Sequence, residues 1–177
     1  MHMADFLIFY PDSLQVRYFS HAERIIPSLQ DSLNALNNVL SHEDDPLGPI
    51  PLYPSSTAQC VWQSFIFRES CRRTLLIAFQ AIATYHLLHG KAYSCKHSLA
   101  VGNRVVISAS LWNSKSPFEF AKAWNEKKRF VVKNLDFQEV LEQADAQDVD
   151  IFGRMMMVGV MGVDDVRGWI YTRGGEL

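Results

Sequence analysis

Four charged residues interrupt an otherwise apolar stretch of this chain, in the run Phe67-Arg68-Glu69-Ser70-Cys71-Arg72-Arg73-Thr74. A guanidinium grips a carboxylate or phosphate through paired N–H groups, so Arg68, Arg72 and Arg73 with Glu69 are candidates for an anionic-ligand site. The same four can equally form a structural ion-pair network that pins one helix to its neighbours. Glu69 and Arg73 stand four apart with the acid first, the order that predicts an ion pair along one helix face.

Tyr85, His86 and His89 form a second group further along the same stretch. Histidine titrates near neutral pH, so these three can supply general acid–base chemistry to a pocket. No nucleophile motif or phosphate loop accompanies them, since Gly153, Gly159 and Gly162 lack the preceding strand that such a loop needs. His86 and His89 with Cys95 and His97 can be imagined around zinc, but the spacing matches no metal-ligand pattern, and the expectation is no metal and no cofactor. Histidine near a helix end also suits the dipole. Two further patterns have a plain reading beside a functional one. Met155, Met156, Met157 and Met161 with Val158 and Val160 can line an adaptable groove or simply fill a core. Lys122, Lys127, Lys128, Arg129 and Lys133 can touch phosphates or form the solvated end of a helix.

Helices must position these groups. From His21 to Leu40 the residues Ile25, Ile26, Leu29, Leu33, Leu36 and Leu40 recur at three-and-four spacing, which predicts an amphipathic helix that begins or kinks at Pro27. Four prolines and a glycine between Ser41 and Ser56 predict a connecting loop, with Leu47, Ile50, Leu52 and Tyr53 packing it on the core. Thr57 to Gly90 carries no proline or internal glycine and reads as a long central helix, or two in near-continuation, ended by Gly90. The turn-rich Tyr93–Asn103 follows. Val105 to Trp112 is β-branched enough for a strand but finds no comparable run to pair with, so helix or extended backbone is expected. Ser116-Pro117-Phe118-Glu119 is a helix start, with Phe120 and Trp124 on one face. Asp136 opens a short helix, Asp148 is placed to cap another from Val149 to about Met161, and Asp165 to Tyr171 is the last. The expected class is all-α: a single-domain irregular bundle over residues 1–177 of about five to eight helices.

Bulk properties narrow the function. A 177-residue chain that is 48% apolar can bury a sizeable core, and a net charge of −2 exerts no overall pull on nucleic acid. Three scattered cysteines, two of them in or beside helical patterns as small buried hydrophobes, fit a reducing compartment. The opening Met1–Tyr10 has no basic region and Pro11-Asp12 cuts its apolar run short, unlike a secretion signal. Leu75 to Leu88 is too short and too polar for a bilayer span. A nuclear or cytoplasmic location without membrane contact is expected.

The run Glu69-Ser70-Cys71-Arg72-Arg73-Thr74 resembles the "E-S-x-R-R-T" helix in the C-terminal regulatory region of fungal zinc binuclear-cluster transcription factors. Leu111-Trp112, Ser116-Pro117-Phe118-Glu119-Phe120, Trp124, Phe130-Val131-Val132, Asp148-Val149-Asp150-Ile151-Phe152-Gly153-Arg154-Met155-Met156 and Gly162-Val163-Asp164 follow in the order and rough spacing of that region. The resemblance covers about Tyr18 to Tyr171. It implies an all-helical module used for regulation, effector response or protein contact. The chain departs from the family in lacking the six-cysteine zinc cluster and a coiled-coil heptad run, so direct nucleic-acid binding by that route is not expected. The expected function is a regulatory module binding a small apolar ligand, a protein partner or a second copy of itself. The competing expectation is a cofactor-independent cyclase or isomerase of specialised metabolism built on the same scaffold around an apolar pocket.

Overall fold

The computed structural model describes residues 12–40, 46, 48–90 and 104–175. The first helix, α1 (Asp12–Leu40), starts earlier than its apolar periodicity and runs through Pro27 without ending there. Its Leu33 and Leu40 are buried with Leu75 and Ile82 of the second helix, and Ile26, Leu29 and Leu36 pack around them. Ile25, expected on the same stripe, is exposed.

The second helix, α2 (Ser55–Leu88), is one uninterrupted element of 34 residues, about 51 Å long at the usual rise per residue. Its apolar residues are spread around the whole circumference, the pattern of a helix covered on several sides. Different neighbours do the covering at different levels. Near the N-terminal end, Phe65 meets Phe120 and Trp124 with ring centroids 5.1 and 6.1 Å apart. The C-terminal half packs on α1. The preceding loop is tied down by Asn125, whose side chain accepts the Ile50 N–H and donates to the Ile50 carbonyl, both at 2.8 Å. Trp124 Nε1 donates to Gly48 O at 3.1 Å. Ile50 is buried as expected, whereas Leu52 and Tyr53 face solvent; Leu47 lies outside the described residues.

The segment after the turn-rich stretch corrects one expectation. Arg104–Val106 is a strand, β1, and its partner is Val131–Lys133, β2, in antiparallel register Arg104↔Lys133, Val105↔Val132 and Val106↔Val131. The pairing run was concealed because Val131-Val132 is short and comes just after the basic run Lys127 to Arg129, which reads as a helix end but lies beyond the helix that stops at Glu126. Two β-branched residues on each side suffice once Ile107 N donates to Phe130 O and Ser108 Oγ accepts the Phe130 N–H, at 3.0 and 2.8 Å.

Short helices follow: α3 (Ala109–Trp112), α4 (Pro117–Glu126), α5 (Gln138–Gln143), α6 (Ile151–Met161) and α7 (Val163–Thr172). Ser116 caps α4 by accepting the Glu119 N–H at 3.2 Å, with Pro117 in the first turn. Asp148 does not cap α6: it closes a capping box with Asp145 around a 3₁₀ turn, and Asp150 takes the cap instead, accepting the Gly153 N–H at 2.7 Å. Gly162, at φ +92°, lets the chain pass from α6 directly into α7, a backbone angle that L side chains rarely adopt. The fold is therefore helical, with seven helices and one two-stranded ribbon among the described residues.

Gly153 is where α6 approaches the residue after β1. A Cβ there would lie 2.8 Å from both Ile107 Cβ and Val149 Cγ1. Gly153→Ala is expected to cost about 1–3 kcal/mol through overpacking, measured by denaturant unfolding, and unchanged stability would show that this contact relaxes freely.

Candidate functional site

Glu69, Arg72 and Arg73 lie on the face of α2 that meets β1, and all three are buried. The predicted Glu69–Arg73 ion pair is replaced by two others. Glu69 pairs with Arg72, three residues on, and Arg73 pairs across the fold with Asp150, the cap of α6. The reason is the strand wedged between them. Val106 turns its N–H and C=O away from β2, and α2 receives both: Glu69 Oε2 accepts the N–H at 2.9 Å while Arg73 Nη2 donates to the carbonyl at 2.7 Å. Side chains four apart on a helix thus stand in for the neighbouring strand that an edge residue lacks.

Arg73 is also held from its faces. Its guanidinium carbon lies 3.8 Å from the Trp112 ring centroid and 4.7 Å from that of Phe152. Three stretches distant in the chain, around Arg73, Trp112 and Asp150-Ile151-Phe152, therefore meet at one cation. Arg68 is buried on the same helix. The arrangement can fasten α2, β1, α3 and α6 together, and its Glu69 and Asp150 carboxylates are already occupied by protein donors. Asp150, Trp112, Phe152 and the Val106 peptide were missed as members of this cluster. An acid three residues before Gly153, ahead of an apolar helical run, was the available signal for Asp150.

Burial pushes the Glu69 carboxyl above its ordinary value of 4.5, opposed by the Val106 N–H, by Arg72 and by Arg73. The folded state then holds this proton more tightly than the unfolded chain, so stability contributed here is full below 4.5 and falls as pH rises through the raised value. Relative to Glu69→Gln, the wild type is expected to lose about 1.4 kcal/mol per unit of elevation across that window, followed by unfolding at several pH values. A pH-independent difference, or one of opposite slope, would refute the assignment.

Tyr85, His86 and His89 come together at the C-terminal end of α2. The Tyr85 ring lies 5.6 Å from that of His86 and 4.1 Å from that of His89. His89 Nδ1 donates to Tyr85 O at 2.7 Å, because a carbonyl can only accept; this satisfies a carbonyl in the last turn of the helix. Desolvation and then the Glu23 carboxylate hold the Tyr85 hydroxyl above its ordinary 10.0, which makes it a weaker acid. Cys95 and His97 lie outside the described residues, and among those described no group of three or more His, Cys, Asp or Glu is arranged to hold a metal ion. Cys71 is buried as expected, and Cys60 is exposed instead, on the solvent side of α2.

Two of the basic residues near the end of α4 are engaged with neighbours: Lys128 pairs with Glu139 at 2.7 Å, and Arg129 stacks 4.1 Å from the Trp124 ring centroid. No described helix is long and apolar enough to cross a membrane.

Against known proteins, the chain is similar to the transcription factor gsfR2 of Penicillium aethiopicum, with 27% identity over 116 residues. That stretch is 66% of this chain and 27% of the other, so the match spans about a quarter of that relative's length. No family model matches the chain. No solved structure matches it.

Proposed function

We propose that this chain is a regulatory segment of a fungal transcription-factor-like protein, acting by protein contact or by response to a small apolar ligand, and leaving DNA reading to another module. The observation that carries this is the similarity to a transcription factor over 116 residues. The net charge of −2 is consistent with contacts made to proteins or metabolites instead of to a phosphate backbone. Such a segment works in the nucleus, or in the cytoplasm before import.

A tethering assay tests the reading. The full chain is fused to an unrelated DNA-binding domain and placed on a reporter promoter in a fungal host. The fusion is expected to raise or lower transcription several-fold against the DNA-binding domain alone. An unchanged reporter, with the fusion shown to be folded and present, overturns the proposal.

A further inference from the structure

The methionine run on α6 divides between two environments. Met156 and Met157 are buried in the core, while Met155 turns outward at 49% exposure. Ile151 and Val158, four before and three after it, share that outward face at 83% and 38% exposure. With Ala109 of α3, Asn113 just after it, and Val166 and Ile170 of α7, these residues line a groove of about 620 Å³. That is the size of a small-molecule site, and the flexible Met155 side chain in its wall adapts readily to shape.

Arg154 distinguishes this groove from a bare apolar face. It lines the groove half-buried, and its guanidinium is fixed there by donating from Nε to Val149 O at 3.1 Å and from Nη2 to Ala146 O at 2.7 Å. Both partners are neutral carbonyls. Among the described residues no carboxylate forms an ion pair with it. The Asp150 carboxylate in the groove wall does not serve, because its oxygens are committed to Gly153 N–H and to Arg73, which balances its charge. A partly desolvated cation in an apolar groove, held still and without a counter-charge among the described residues, favours an anion there. Its remaining N–H groups are donors of the kind that hold a carboxylate, and the amides of Asn113 and Gln147 add polar groups around the groove.

We propose that this groove binds a small molecule with an apolar body and one carboxylate, the carboxylate received by Arg154 and the body laid along Ile151, Met155 and Val158. The binding stands on the groove itself; its meaning as an effector site rests on the regulatory reading above.

The test is a calorimetric titration of the full chain with 1-naphthoate and decanoate, each set against its uncharged alcohol, 1-naphthalenemethanol and decanol. At least one acid is expected to bind saturably and about tenfold or more tightly than its alcohol, a preference of about 1.4 kcal/mol. Met155→Glu, at an exposed position, is expected to abolish that preference and weaken the acid about tenfold at unchanged melting temperature. Arg154→Gln is expected to do the same, but it also removes two links to backbone carbonyls, so Met155→Glu decides if that variant unfolds. Equal binding of acid and alcohol, binding of neither acid, or full affinity in Met155→Glu overturns the proposal. The titration involves no promoter, so its failure leaves the tethering result standing, and a silent reporter leaves the titration standing.

Discussion

Replacing Arg73 by alanine is expected to remove about 3–5 kcal/mol of folding stability, the range for breaking a buried ion pair from one side. Three losses combine. Asp150 is left as a buried carboxylate without its cation, the Val106 carbonyl loses its donor, and the stack between Trp112 and Phe152 collapses. An exposed ion pair would contribute at most about 1 kcal/mol, so the burial of both partners decides the size of the effect. Arg73→Lys keeps the charge but lacks the planar fork that reaches carbonyl and carboxylate together, and should fall between wild type and alanine. In a double-mutant cycle, Arg73→Ala and Asp150→Ala should be non-additive by about 1 kcal/mol or more, because the second change removes the orphaned charge left by the first. Denaturant unfolding measures all five proteins. A loss below about 1 kcal/mol for Arg73→Ala would mean that water reaches the cluster.

Phe120→Ala should be comparably damaging, at about 3–5 kcal/mol, but for a different reason. The ring is fully buried between Phe65 and Trp124, with centroid distances of 5.1 and 5.7 Å, and it joins α4 to the N-terminal half of α2. Its removal forfeits apolar burial and leaves a cavity whose walls are aromatic rings on two helices. The near-ultraviolet circular dichroism of Trp124 should weaken in parallel, since its packing neighbour is gone. Phe65→Ala in the same background should cost less than it does alone, because both truncations open one shared space. A Phe120→Ala protein within about 1 kcal/mol of wild type would show that α4 closes over the gap.

The two substitutions probe parts of the fold that differ in how far they can be read from residue order. The Phe120 and Trp124 face was legible, because a four-residue spacing behind a Ser116-Pro117 start places both rings on one side of a helix. The Arg73 cluster was legible by composition alone: charges inside an apolar helix need partners, but the pairing of Glu69 with Arg73 did not follow. Local spacing favoured that pair, and tertiary structure inserted the Val106 peptide instead. His89 meets the Tyr85 ring because it stands four residues on, one helical turn away, so that contact follows from local geometry alone.

By itself the order of residues determined what repeats within a few positions: the helical periods, the Ser116 cap, the breaks at Gly90, at Gly162 and in the proline-rich loop before α2, though not at Pro27, and the predominance of helix. These depend on contacts within one or two turns, so every cause is adjacent to its effect. Tertiary structure decided which distant groups would meet. It brought β1 to β2, set Asp150 against an arginine 77 residues away, and turned Met155 outward while Met156 and Met157 went into the core. The physical reason is that burial makes an unpaired charge or peptide costly without regard to distance along the chain. Among the cluster's charges, the partners were chosen by which groups the packing of α2, β1 and α6 left facing one another.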